Sequence, residues 1–141
     1  MQILDKPKIQ LPSDVDKRCI ELCNMLNRLP CTKTYESCEG HGDTPYWIFF
    51  KCYSIEVLSR LGRVINPNYS DGNWEIVLDS TDTHPKGCFW LRTTTILDNV
   101  VLDYSIDQLI KHIVYWFNDK YDKYFDDDPI VNIYKEDIIN E

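Results

Sequence analysis

The amino-acid sequence predicts an α+β fold in which helices pack on one face of a four-stranded, mainly antiparallel sheet. Three observations predict it: apolar residues at helical spacing in three segments, four short alternating runs, and their order, α-β-β-α-β-β-α. Because 43% of the 141 residues are hydrophobic, the chain has enough apolar surface for one core. We therefore expect a single domain over residues 1–141, with an N-terminal arm at 1–12 and an acidic C-terminal segment at 122–141.

The first helix is predicted directly after the arm. Ser13 is expected to cap it, with the acidic Asp16 at its third position. Pro30 cannot continue a helix and should end it. Between these points one apolar stripe recurs at helical spacing and should face the core: Val15, Cys19, Leu22, Leu26 and Leu29.

The first hairpin and the second helix follow. Residues 32–38 alternate as a strand does, and a glycine-containing loop leads into the apolar run 47–52, so the two runs should pair antiparallel. A second helix is expected to be capped by Ser54 and to end at Asn66 and Pro67. Its predicted core face consists of Val57, Leu58, Leu61, Val64 and Ile65.

A second hairpin and a last helix complete the predicted fold. Residues 74–78 and 88–93 are two more alternating runs, and a polar segment joins them. The last helix is expected over residues 103–121, with a capping box, Ser-Ile-Asp-Gln, at residues 105–108. Its apolar stripe is Ile106, Leu109, Ile110, Ile113, Val114 and Phe117.

Charge and composition narrow the possible partners. A net charge of −8 makes nonspecific nucleic-acid binding unfavourable, because an acidic surface repels phosphate backbones. The sequence has no pattern of a signal peptide and no apolar run long enough to span a bilayer, so we expect a cytoplasmic protein without a membrane partner. The six cysteines are then expected as free, mostly buried thiols. No cofactor is expected, and a homo-oligomer is possible.

The clearest functional signal is the loop at residues 36–42, Glu-Ser-Cys-Glu-Gly-His-Gly. Its two glycines allow positive φ angles or a close approach to a ligand, and such a loop can present main-chain amides to an anion. We predict ligand contacts at Ser37, Cys38, Glu39, Gly40, His41 and Gly42. The alternative is an ordinary long hairpin loop with an exposed histidine.

Further ligand contacts are predicted from the second hairpin. Trp74, Trp90 and Arg92 alternate with core residues and offer aromatic rings for stacking and a guanidinium for an anion. Arg60 on the second helix is another candidate cation. Each of these residues can also be an ordinary surface residue, because long cationic side chains usually lie over apolar surface.

Two other uses of the loop are open. Cys38 with His41, and His84 with Cys88, have short spacings that could together form a tetrahedral zinc site. Neither pair has the familiar Cys-x-x-Cys form. Nucleophilic catalysis by Cys38 with help from His41 is also possible, although two neighbouring glutamates disfavour a thiolate.

Residues 34–42, Thr-Tyr-Glu-Ser-Cys-Glu-Gly-His-Gly, with Pro-Tyr-Trp-Ile-Phe-Phe at 45–50, resemble a family of small phage and prophage proteins with a T-[TS]-S-C-x-G-H-G core. Residues 19–27 look like the helix of that family. Over about the first third, the chain is remotely similar to the wybutosine-synthesis methyltransferases of tRNA modification, whose T-T-S-S-C-S-G-R loop has arginine where His41 stands here. These resemblances imply a phage origin and a nucleotide-like ligand near Ser37, Cys38 and His41.

Three functions follow as hypotheses. The first is a non-enzymatic protein that sequesters a nucleotide-like immune signal, of the cyclic nucleotide or ADP-ribose type, as a counter-defence sponge in the host cytoplasm. The second is a nucleotide- or RNA-modifying enzyme, methyltransferase-like, that uses the same loop. The third is an interaction protein whose acidic C-terminal segment blocks a host partner.

Overall fold

A computed structural model of the protein describes residues 3–68, 70–79 and 87–118. Within these ranges, 3₁₀ turns at Ile3–Asp5 and Lys17–Cys19 accompany three α-helices and four strands. The predicted α+β class and element order are confirmed. The elements are α1 (Ile20–Asn27), β1 (Thr32–Cys38), β2 (Trp47–Cys52), α2 (Ile55–Ile65), β3 (Trp74–Leu78), β4 (Cys88–Thr93) and α3 (Asn99–Trp116).

The four strands form one antiparallel sheet in the order β1-β2-β4-β3. Both predicted hairpins are therefore confirmed, and β2 and β4 are the central strands. The helices pack on one face, where their apolar side chains share a core with Ile48, Phe50, Trp74 and Leu91 of the sheet. We call this the helix face and the opposite side the second face.

The start of the first helix differs from the prediction. Ser13 does not cap it; Asp16 precedes a 3₁₀ turn, and α1 begins only at Ile20. The Asp16 side chain makes no capping hydrogen bond, because its carboxylate binds a distant loop instead. The predicted stripe is nevertheless correct, since Cys19, Leu22, Leu26 and Leu29 are buried and Val15 packs against the core.

Unlike α1, the two longer helices begin at side-chain caps. Ser54 caps α2 as predicted, because its Oγ accepts the amide of Val57 at 3.3 Å. The cap of α3 is Asp98, which accepts the amide of Val101 at 3.0 Å, so the predicted capping box at residues 105–108 is wrong. Ser105 is buried inside the helix and donates to Asp71 at 2.8 Å.

Among the described residues, no helix combines the length and apolarity needed to cross a membrane.

The outer edge of β1, on the side away from β2, makes hydrogen bonds with a side chain instead of with another strand. The Asn27 side chain accepts the Thr34 amide at 2.8 Å and donates to the Thr34 hydroxyl at 3.0 Å. The register of β1 with β2 also shifts between Thr34 and Glu36, as expected for a β-bulge at Tyr35. The edge is thus both capped and irregular at this point.

Gly62 lies near the end of α2, where a methyl group would meet no atom within 4 Å. Because glycine loses more backbone entropy on folding than alanine, we expect Gly62→Ala to raise the free energy of unfolding by about 0.5–1 kcal/mol. Urea titration followed by circular dichroism measures this change. An unchanged or lower midpoint would contradict the open space seen beside Gly62.

Candidate functional site

The loop between β1 and β2 has an unusual backbone conformation. Three consecutive residues have positive φ: Gly40 at 89°, His41 at 52° and Gly42 at 79°. The Gly40 carbonyl oxygen accepts the amides of Asp43 at 2.9 Å and Thr44 at 3.2 Å, which closes a compact turn. The two glycines therefore adopt the predicted positive φ angles. His41 adopts one at a cost of about 1 kcal/mol, because its side chain crowds the backbone there.

Asp16 fastens this loop to the turn before α1. Its Oδ2 accepts the main-chain amide of Glu39 at 2.9 Å and lies 3.1 Å from His41 Nε2. Arg18 makes a second connection, with Nη1 2.8 Å from Glu39 Oε2 and Nε 2.8 Å from Asp103 Oδ1 on α3. Arg18 therefore connects the loop to α3 as well as to the turn before α1.

Several main-chain amides of the loop are already used within the protein. Glu39 donates to Asp16, and Gly40 donates to Cys38 Sγ at 3.3 Å. Asp43 and Thr44 donate to the Gly40 carbonyl oxygen. These four amides are not available to an anion in this conformation.

Cys38 of the loop and Arg92 of the second hairpin share the second face of the sheet. The strand register pairs Cys38 with Trp47, Trp47 with Arg92, and Arg92 with Glu75. Residues paired in this way project from the same face of an antiparallel sheet. Arg92 Nε is 2.7 Å from Glu75 Oε1, so its charge is partly balanced.

Trp90 belongs to an aromatic surface on the same face, which we define as Tyr35, Trp47, Phe49 and Trp90. The ring centres of Trp47 and Trp90 are 5.1 Å apart, those of Phe49 and Trp90 are 4.8 Å apart, and those of Tyr35 and Phe49 are 6.3 Å apart. Phe49 is buried, the two tryptophans are half-buried, and Tyr35 is 37% exposed. Tyr35 and Trp47 lie at the end of this surface toward the sheet edge.

Trp74 and Arg60 do not join this surface. Trp74 pairs with Thr93, is 4% exposed, and packs edge-on against Tyr46 at 5.5 Å between ring centres, on the helix face. It is therefore a core residue, and its prediction as a ligand contact beside Trp90 is wrong. Arg60 belongs to α2, which packs on the helix face, so the sheet separates it from Arg92.

The alternative of a zinc site built from Cys38, His41, His84 and Cys88 is contradicted by the positions of its two cysteines. Cys88 is buried and pairs with Lys51 of β2, whereas Cys38 pairs with Trp47, four positions earlier in the same strand. The two cysteines are therefore about 13 Å apart along the strand direction alone. His84 lies outside the described residues, as does the acidic C-terminal segment at 122–141. Cys38 and His41 do come together, with a partner the sequence did not suggest: their ligand atoms and one of Asp16 all lie within 4.8 Å of one another.

A cleft of about 600 Å³ opens beside the loop, between the N-terminal arm, α1 and the edge strand β1. Ser37, a predicted contact, lines it together with Tyr35 and Trp47 of the aromatic surface. Lys33 also lines the cleft, and its Nζ is 5.4 Å from the ring centre of Tyr35. One wall of the cleft therefore has two aromatic rings and a cation.

Lys33, Tyr35 and Trp47 were not among the contacts predicted from the sequence, which lay in the glycine loop, the second hairpin and the second helix. The spacing of Lys33 and Tyr35 in the sequence could have indicated this wall. Lys33 and Tyr35 are two positions apart in a predicted strand and therefore project from one face. Asp14 and Glu36 contribute carboxylates to the same cleft.

No protein-family model, curated protein or solved structure matches this chain. The family resemblances noted in the sequence therefore stay predictions.

Proposed function

We propose that the protein binds a small, nucleotide-like ligand in the cleft between the N-terminal arm, α1 and β1. The observation that carries this proposal is the wall on which Tyr35, Trp47 and Lys33 lie together. Aromatic rings stack on any of the nucleobases, and a lysine ammonium attracts the phosphate or pyrophosphate of the same ligand. The three side chains thus offer the two kinds of contact that a nucleotide needs.

Size and polarity of the cleft agree with such a ligand. Small-molecule pockets usually have volumes of about 300–1,000 Å³, and this cleft has about 600 Å³. Its carboxylates, from Asp14 and Glu36, can accept hydrogen bonds from sugar hydroxyls, as acidic residues do in dinucleotide-binding proteins. Because the same carboxylates repel a highly charged anion, a ligand with a sugar and few phosphates fits the cleft best.

Binding without chemical change is the activity we propose. A protein that holds such a ligand and does not convert it lowers its free concentration, which is how a counter-defence sponge removes an immune signal. The net charge of −8 favours a small ligand over a nucleic-acid chain, because a polymer would bring many more phosphates to an acidic surface. The phage origin and the cytoplasmic site of action belong to this proposal.

Thermal unfolding with a ligand panel tests the proposal. The panel contains cyclic mononucleotides, cyclic dinucleotides, ADP-ribose and its cyclic forms. A ligand present at 100 times its Kd stabilises the folded state by about 2.7 kcal/mol, which raises Tm by several degrees. We expect at least one compound to do so and to be recovered unchanged by chromatography and mass spectrometry. An unshifted Tm for every compound would contradict the proposal. Recovery of a chemically modified compound would instead support the hypothesis of a nucleotide-modifying enzyme.

Matched variants locate the binding site. Tyr35→Ala should weaken binding of the active compound by about 10- to 100-fold, the loss expected for one stacked base, and Lys33→Gln should weaken it in proportion to the phosphates bound. Tyr104→Ala and Lys111→Gln, which change exposed side chains on α3, are the controls and should bind as the unchanged protein does. Equal affinities for the Tyr35 and Tyr104 variants would place the ligand outside the cleft.

A further inference from the structure

We propose that Asp16, Cys38 and His41 form a binding site for a single zinc ion. Each residue contributes one donor atom, and the three atoms lie within 4.8 Å of one another. Carboxylate oxygen, thiolate sulfur and imidazole nitrogen are the three donor types that zinc uses in proteins. The proposal goes beyond ligand binding in the cleft and does not depend on it.

The distances require only a small contraction around the metal. Tetrahedral zinc with bonds of about 2.0–2.3 Å places its ligand atoms roughly 3.3–3.8 Å apart. His41 Nε2 and Asp16 Oδ2 are already 3.1 Å apart, which is within a few tenths of an ångström of that spacing. Because all three donor atoms lie within 4.8 Å of one another, Cys38 Sγ has to move toward the other two by at most about 1.5 Å.

The protein holds these donors in place from several directions. Asp16 Oδ2 accepts the Glu39 amide at 2.9 Å, which orients the carboxylate. Cys38 Sγ accepts the Gly40 amide at 3.3 Å, which fixes the position of the sulfur. Such contacts behind the donor atoms are typical of metal sites, where they orient the ligands.

The backbone of His41 adds a separate observation. Its φ of 52° lies in the left-handed region, which non-glycine residues rarely adopt. In this conformation the imidazole reaches Asp16. A metal bond at Nε2 would offset the conformational cost of this backbone.

The charge balance also favours a cation at this position. With Cys38 as a thiolate and His41 neutral, Asp16 and Cys38 carry two negative charges, which one zinc ion neutralises. Hard cations such as magnesium prefer oxygen ligands throughout, so sulfur and nitrogen donors select against them. The His41 side chain is 59% exposed, so a fourth coordination position is open to water or to a small anion. Three protein ligands with one open position are typical of zinc sites that bind a substrate or ligand.

Metal titration of the full chain tests the site with zinc alone. The protein is stripped of metal with a chelator, kept reduced, and titrated with zinc in competition with a chromophoric chelator. We expect one zinc ion per chain and no detectable binding of magnesium. Cobalt at the same site should show the intense near-ultraviolet band of a metal–thiolate bond. Absence of a stoichiometric zinc site, or a cobalt spectrum without that band, would overturn the proposal.

Variants separate this site from adventitious binding to the acidic surface. Cys38→Ser, His41→Gln and Asp16→Asn should each weaken zinc binding by at least about 100-fold, because each removes one of three ligands. Asp43→Asn in the same loop and His112→Gln on α3 are matched controls and should bind zinc as before. Zinc affinity that is unchanged in the Cys38 and His41 variants would assign the metal to other groups.

Thiol labelling gives a second readout on the unchanged sequence, so it does not depend on a variant that folds. Cys38 is half-exposed, whereas the other five cysteines are at most 2% exposed. One thiol should therefore react quickly with a maleimide reagent in the folded protein, and peptide mapping should identify it as Cys38. Saturating zinc should slow this reaction at least about tenfold, since a coordinated thiolate is blocked. Equal labelling rates with and without zinc would contradict the site, whatever the outcome of the nucleotide panel.

Discussion

Gly40→Ala is expected to lower the free energy of unfolding by about 3 kcal/mol. The φ of Gly40 is 89°, and a Cβ atom there would overlap the carbonyl oxygen of Thr44, a main-chain atom that cannot move alone. The strain of a left-handed alanine is about 1–2 kcal/mol. Loss of the two hydrogen bonds to the Gly40 carbonyl oxygen adds about 1 kcal/mol each at most.

Gly42→Ala is the matched control for this variant. Its φ of 79° is similar, but a methyl group there would meet no atom within 4 Å. We expect it to cost only the conformational strain, about 1 kcal/mol. Urea unfolding of both variants measures the difference. If both variants lower the free energy of unfolding by the same amount, the close packing of Gly40 against Thr44 does not contribute to stability. The loop would then be less tightly packed than these contacts indicate.

Stability is expected to fall steeply above about pH 9. Burial raises the pKa of the Cys19 thiol from its ordinary value of 9.0 to about 12. Burial also raises the pKa of Cys23, Cys52 and Cys88, and it raises that of the Tyr46 hydroxyl well above 10.0. These groups stay protonated in the folded protein at a pH where the unfolded chain has lost the protons. Their contribution is therefore complete below the unfolded pKa and is lost as the pH rises.

Cys19 alone should lower the free energy of unfolding by on the order of 1 kcal/mol per pH unit as the pH rises from about 9 to about 12. Urea unfolding under reducing conditions, repeated from about pH 8 to about pH 11, measures this slope. Cys19→Ala should reduce the slope by that amount. Val64→Ala, which removes buried but non-ionisable atoms, should lower stability without changing the slope. Equal slopes for the unchanged protein and the Cys19 variant would show that the thiol titrates alike in both states.

Much of the fold could be predicted because apolar periodicity reports directly on which side of a helix or strand is buried. The stripes that contain Leu26 and Leu61 faced the core as expected. Helix starts were less predictable, since several polar residues near a start can serve as caps. Ser54 fulfilled that role, whereas Asp98 replaced the expected capping box of α3 and Asp16 was used elsewhere.

The candidate site was less predictable, because it depends on contacts between distant segments. Strand alternation indicates that Trp74 and Trp90 each point to one face, but only the register shows which. Pairing of Trp74 with Thr93 places it in the core, and a shift by one residue would have reversed this result. Nothing in the local sequence shows that Asp16 lies beside His41, 25 positions later in the chain.

The hydrogen bonds between Asn27 and Thr34 affect the tendency of this chain to associate with other copies of itself. An open strand edge can recruit a strand from a second molecule and start aggregation. Here a side-chain amide takes the place of that incoming strand at Thr34, and the displaced residue at Tyr35 breaks the regular spacing that a recruited strand would need. We therefore expect Asn27 to disfavour self-association of the sheet through this edge.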